Sequence, residues 1–234
     1  MGIQLTTDLS GFSPGAVGTL SSSDVVNLTT LQITQLSSTA VGGFSSAQIQ
    51  KLTSTAIQAF STTQIAALSS TQFSYFTTNQ VPSFNVSQVQ AVTSSSIRGL
   101  TTAQIRQLGS SQVAALKATQ INALNSNQIR GIASASVKDI STATVQDIEV
   151  AELRYLTVQQ VMGLIEDQIR ILTTEQVAGL DQAQVAKIET ADIQFLQSSQ
   201  LNAMTAQVKH WLQIRSKPSR PARSRTYRRA SYPI

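Results

Sequence analysis

Few side chains in this chain are of a kind that could do chemistry. The single histidine, His210, sits in VKHWLQIR between Lys209 and Trp211. A lone histidine in such a tail reads as a solvated or packed residue. Hydroxyls are abundant, but nucleophilic catalysis also needs a base and an orienting acid. The acids gather late, at Asp139, Asp147, Glu149, Glu152, Glu166 and Asp167. Negative charge near a helix start is favoured by the exposed N–H groups there, and this structural role outweighs a paired-carboxylate site. Cysteine is absent, which excludes disulfides and thiolate metal sites. Neither a Gly-rich phosphate loop nor a metal-ligand spacing is present. The expectation is a chain that is not an enzyme, with no catalytic, cofactor-binding or metal-binding residues and no cofactor.

Two basic features remain as candidate partner sites. The first is the tail, residues 215–234, with Arg215, Lys217, Arg220, Arg223, Arg225, Tyr227, Arg228 and Arg229 among prolines and serines. Such a composition predicts an extended arm. It suits a phosphate backbone, with tyrosines that stack on bases, or an acidic protein surface. The second is a basic row, Arg98, Arg106, Arg130, Lys138, Arg154 and Arg170. These residues recur at the sixth position of the repeat; they read first as an ordinary solvated face, neutralised by acids such as Asp139 and Asp147, and alternatively as a basic row along one side of the protein. The charge is divided unevenly: residues 1–208 hold nine Lys or Arg against twelve Asp or Glu, whereas residues 209–234 hold eight Lys or Arg and no acid.

The element that positions all of these is the repeat itself. Residues 5–204 divide into twenty-five units of eight, with the consensus (S/T)-(S/T)-x-Q-(I/V)-x-x-L. We number them from unit 1 (residues 5–12) to unit 25 (residues 197–204). The fifth and eighth positions are apolar in every unit, the fourth is Gln in fifteen, and eighteen units begin with Ser, Thr, Asn, Asp or Gly. Clear copies are STTQIAAL (61–68), TTAQIRQL (101–108) and TTEQVAGL (173–180).

Ser or Thr followed three residues later by Gln is a capping box, and apolar residues just before the cap and four residues after it form a hydrophobic staple. Ser61 with Gln64, Thr101 with Gln104 and Thr173 with Gln176 follow this rule. Pro14 falls at a first helical position, where proline is tolerated. Pro82, by contrast, falls inside TTNQVPSF, where it removes a helical hydrogen bond. Ile165 and Leu5 occupy cap positions without a capping group. One continuous helix does not fit, because eight residues at about 100° each turn the apolar pair by roughly 80° per unit. The predicted structure is all-α: a solenoid of short capped helices, one per unit and about six or seven residues long, some 10 Å at the usual rise. Such helices are too short to stand alone and must bury their apolar pair against other units. The alternative is a β-solenoid, since Thr, Val and Ile suit strands. Phe60, Phe73, Phe76 and Phe84 thicken the core locally.

Three segments follow: the repeat solenoid at 5–204, an atypical C-terminal cap at 205–214 where the register slips and Trp211 replaces leucine, and the basic extended tail at 215–234. No apolar run approaches the roughly 18–20 residues of a membrane span, and the N-terminus lacks the pattern of a secretory signal.

The tandem octads resemble the low-charge repeat regions of large bacterial surface or secreted proteins of the adhesin-like kind. The resemblance covers residues 5–204 and excludes the tail. It implies a cell-surface or secreted setting and carries over no functional residues. With only 12% charged residues, the body has little to keep copies apart. The expected function is a structural rod that assembles with itself into fibres or layers. The alternative is a nucleic-acid-associated scaffold anchored by the basic tail.

Overall fold

The computed structural model describes residues 4, 7–188 and 195–204. The segments 205–214 and 215–234, cap position Leu5 and His210 lie outside the described residues. Every described element is helical, from Pro14–Gly18 to Ser198–Ala203, and the elements follow the octad register. The all-α expectation holds. The β-solenoid does not: no strand is present among the described residues.

The first residue of each unit is extended, as at Ser61 (φ −69°, ψ 160°) and Thr101 (φ −72°, ψ 160°). The side-chain oxygen of Ser61 accepts from the backbone N–H of Gln64, and Thr101 does the same for Gln104. Helix then runs for four to six residues, shorter than the sequence suggests. The eighth residue ends it: the N–H of Leu68 bonds the carbonyl of Ile65, and Leu108 bonds Ile105. Leu68 itself is extended (φ −66°, ψ 135°) and feeds the extended cap of the next unit. In six-residue helices such as Thr62–Ala67, two extended residues in succession, not a left-handed one, end the helix. No described residue has a positive φ, which removes the usual need for a C-terminal glycine.

Pro14 takes the first helical position as expected. Pro82 does not break its unit. The helix is replaced by a 3-10 turn over Val81–Ser83, and Val81 and Phe84 remain buried. Ile165 offers no side-chain cap, yet its helix Glu166–Ile171 still forms.

The closest helix–helix packing is not between sequence neighbours. The helix of each unit packs on that of the unit three further on: Pro14–Gly18 on Ala40–Gly43, Thr30–Gln35 on Ser54–Ala59, Thr102–Ile105 on Ser126–Gly131, and Thr142–Gln146 on Glu166–Ile171. One superhelical turn therefore takes between three and four units. Close approach between turns explains particular glycines. A Cβ on Gly99 would stand 1.7 Å from the Ser70 carbonyl oxygen, and one on Gly43 would stand 2.0 Å from that of Pro14.

The fifth-position side chains, from Leu9 and Val17 to Val177 and Val185, point inward and are buried, joined by most of the eighth-position residues in one continuous core. The aromatic residues pack within it: Phe76 meets Phe84 edge-on at 5.0 Å between ring centroids, while Phe60 pairs with Phe44 at 6.1 Å.

Candidate functional site: the glutamine ladder and the outer face

The fourth-position glutamines form the main polar constellation. Each is buried and makes hydrogen bonds in two directions. In unit 13, Gln104 Oε1 accepts from the Thr101 N–H at 2.6 Å. Its Nε2 donates to the carbonyls of Phe73 (2.9 Å) and Phe76 (2.6 Å), 31 and 28 residues earlier. Gln64 repeats this with Ser61, Ile33 and Leu36, and Gln168 with Ile165, Val137 and Ile140. The last case shows that the rung needs no capping hydroxyl. The acceptors belong to the fifth and eighth residues of the unit four before. Packing to the third neighbour and rungs to the fourth together give about three and a half units, or 28 residues, per turn.

Glutamine fits this place for chemical reasons. Its neutral amide supplies two donors and an acceptor on a stem long enough to cross between turns. Unpaired buried carbonyls cost free energy, so each rung satisfies groups that helix termini leave open. Where the fourth residue differs, the substitute determines what survives. Ser96 Oγ reaches the Leu68 carbonyl at 2.7 Å and keeps half a rung. Asp24 keeps the local box, with its Oδ2 accepting from the Ser21 N–H at 2.9 Å.

The outer face carries the predicted basic row, all six members of which are exposed. They do not line one side. At about three and a half units per turn, successive units face directions roughly a hundred degrees apart, so equivalent positions wind around the axis. Two of the six are staples. Arg98 Nε donates to the Ala123 carbonyl at 3.2 Å and Arg154 Nε to that of Gly179 at 2.8 Å, each 25 residues ahead. Arg170 pairs with Glu166 at 3.1 Å and lies over the Phe195 ring at 5.6 Å. The sequence gives no direct sign of the inter-turn roles, because those partners, Ala123, Gly179 and Phe195, sit three units away.

Among the acids, Glu175 is exposed, and its carboxyl is held below the ordinary value by hydrogen bonds from its own backbone N–H and from the Thr174 and Thr173 hydroxyls. Thr174 Oγ1 donates to it at 3.0 Å. Among the described residues, no cluster of three His, Cys, Asp or Glu is placed to hold a metal ion, and no helix is long and apolar enough to cross a membrane. The tail residues Arg215, Lys217, Arg220, Arg223, Arg225, Tyr227, Arg228 and Arg229 lie outside the described residues.

Compared with known families, the chain matches the ALTTAQ repeat over residues 57–86 and 89–126. The sequence Leu100-Thr101-Thr102-Ala103-Gln104 reads the last five letters of that name across the junction of units 12 and 13. The chain is a repeat protein. No curated protein matches it.

Proposed function

We propose that the chain is a non-enzymatic structural and interaction module, a regular rod that associates with copies of itself. The carrying observation is the glutamine ladder. The polar groups best able to bind or orient a ligand are buried and bonded to backbone from unit to unit, which leaves an outer face rich in short hydroxylic side chains. At about seven turns, and 8–10 Å between packed helices, the array makes a rod roughly 60–70 Å long.

Association is proposed to occur through the sides of the rod. In the N-terminal turn the core side chains Leu9, Val17 and Val25 are buried. The fourth positions there are Asp8, Ala16 and Asp24, which bring no amide donors to a stacked turn. Residues 1–95 carry only Asp8, Asp24 and Lys51 as charged side chains, so like-charge repulsion between flanks is weak there. The adhesin-like bacterial surface setting belongs to the same proposal. Negative-stain electron microscopy and sedimentation velocity test it: sheets or bundles wider than one rod are expected, and monomers alone at high concentration overturn it.

A second reading rests on the eight basic residues and absence of acid in residues 209–234: anchoring of the rod to nucleic acid. Salt-dependent binding of DNA or RNA that disappears on deletion of residues 215–234 supports it. No binding at low salt removes it.

A further inference from the structure

The ladder is interrupted once over almost a full turn. Units 17, 18 and 19 carry Ser136, Thr144 and Glu152 in place of glutamine. Their rungs would reach the carbonyls of Leu108, Leu116 and Leu124, as Gln160 reaches Ile132 at 2.8 Å one unit later. Neither Ser136 nor Thr144 makes that reach; Thr144 Oγ1 instead accepts locally from the Ser141 hydroxyl at 2.9 Å. Isolated gaps elsewhere, at Ala40 and Ala56, lie between intact rungs at Gln32, Gln48 and Gln64.

Two further observations fall at the same level. Glu152 Oε2 is a buried oxygen with no hydrogen-bond partner. It borders a cavity of about 20 Å³ lined by Ile121, Ile129, Ile132, Val137 and Val145, no larger than one lined by Phe73, Val81, Phe84 and Val89, so it is the hydrogen bonding that sets this level apart. Helix starts weaken too, because Ala133 and Glu149 give no side-chain cap.

What crosses the gap is Asn122. Its Nδ2 donates to the Asp147 carbonyl and its Oδ1 accepts from the Glu149 N–H, both at 3.0 Å. The second bond supplies the cap N–H of unit 19 with the acceptor that a glutamine Oε1 provides elsewhere. Among the described residues, these are the side-chain hydrogen bonds between 105–124 and 136–152.

We propose that the rod contains a built-in opening seam between residues 105–124 and 136–152, latched from outside by Asn122. In a linear repeat array stability is a sum of local terms, and opening begins where those terms are smallest. Each net hydrogen bond shifts an opening equilibrium by about two- to tenfold, and the seam lacks several. The rod yields here as two bodies, each with its own ladder.

Hydrogen exchange of the full chain, followed by mass spectrometry, tests this. Amides of residues 133–156 are expected to exchange at least tenfold faster than those of 61–92. Asn122→Ala should speed 133–156 by a further two- to tenfold per lost bond and leave 61–92 unchanged. Joint Ser136→Gln, Thr144→Gln and Glu152→Gln should slow 133–156 at least tenfold. Should that variant not fold, Gln72→Ser, Gln80→Ser and Gln88→Ser together should add a second fast-exchanging segment at 69–92. Equal exchange of both segments in the natural chain, no response to Asn122→Ala, or no acceleration at 69–92 would overturn the seam.

Discussion

The ladder predicts a specific failure when one rung changes its charge but keeps its shape. Gln104 is 2% exposed and bonds Thr101, Phe73 and Phe76. Gln104→Glu keeps the acceptor for the Thr101 N–H but loses both donors, and turns a carboxylate oxygen toward two carbonyls. The two lost bonds contribute about 0.5–1.5 kcal/mol each, and a buried, uncompensated charge adds a few kcal/mol. A loss of about 3–5 kcal/mol at pH 7 is expected, as for other broken buried charge sites. The burial and the facing carbonyls disfavour the charged form, so the carboxyl's folded pKa lies above its unfolded value of about 4.3. The charge part of the penalty is then absent below the unfolded pKa, grows as pH rises toward the folded one, and levels off above it, while at least one donor bond stays lost at every pH. Gln104→Met loses the same donors and the acceptor but should cost a similar amount at every pH. Urea unfolding followed by circular dichroism, at pH 4 and pH 7, reads the difference. Because arrays depart from two-state behaviour, local hydrogen exchange at residues 73–76 and 101–108 accompanies it. A Gln104→Glu variant within about 0.5 kcal/mol of the natural chain at pH 7, or a loss insensitive to pH, would refute the ladder's donor role.

Other perturbations separate the remaining forces. Gly99→Ala pushes a methyl into the Ser70 backbone and should cost about 1–3 kcal/mol, whereas Gly42→Ala meets nothing within 4 Å and should be neutral or stabilising by up to about 1 kcal/mol; paired urea melts decide. Ile65→Ala, at a fully buried position, should lose about 2–5 kcal/mol, with exchange speeding in the turns on both sides. The depressed carboxyl of Glu175 contributes its small stabilisation above the unfolded pKa and loses it as pH falls through the lower folded value. Glu175→Gln should therefore unfold slightly more easily near neutral pH, and the difference should vanish in acid.

The local half of this architecture is legible in a single octad. Ser61 and Gln64, or Thr101 and Gln104, announce a helix start through the capping box, and the invariant apolar pair at the fifth and eighth positions announces the core. The length of each helix is not so easily read. Leu68 is as good a helix former as any, yet the extended cap that must follow draws it out of the helix. The other half of each glutamine is also hidden, because its amide donors find carbonyls 28 and 31 residues away and nothing inside eight residues states the size of a turn. The same gap misplaces the basic residues: equivalent positions suggest one row, whereas a turn of a non-integral number of units scatters them. Arg98 and Arg154 are better understood as ties to Ala123 and Gly179. Pro82 misleads for a different reason. A 3-10 turn over Val81–Ser83 tolerates it, and the inter-turn bonds of Gln80 to Ile49 and Leu52, both 2.8 Å, keep the unit in place.

The half-unit remainder in each turn makes the number of repeats a variable of its own. Deleting or duplicating one octad upstream leaves every downstream glutamine an acceptor four units back, so the framework closes again. Yet everything beyond the edit is re-aimed by roughly a hundred degrees about the long axis relative to everything before it, and only a change of about seven units restores the original heading. Near the edit, position-specific matches such as Gly99 against Ser70 or Gly43 against Pro14 lose their counterparts. Copy number in such a chain thus sets not only reach but compass bearing, the direction in which whatever is attached to one end faces relative to the other.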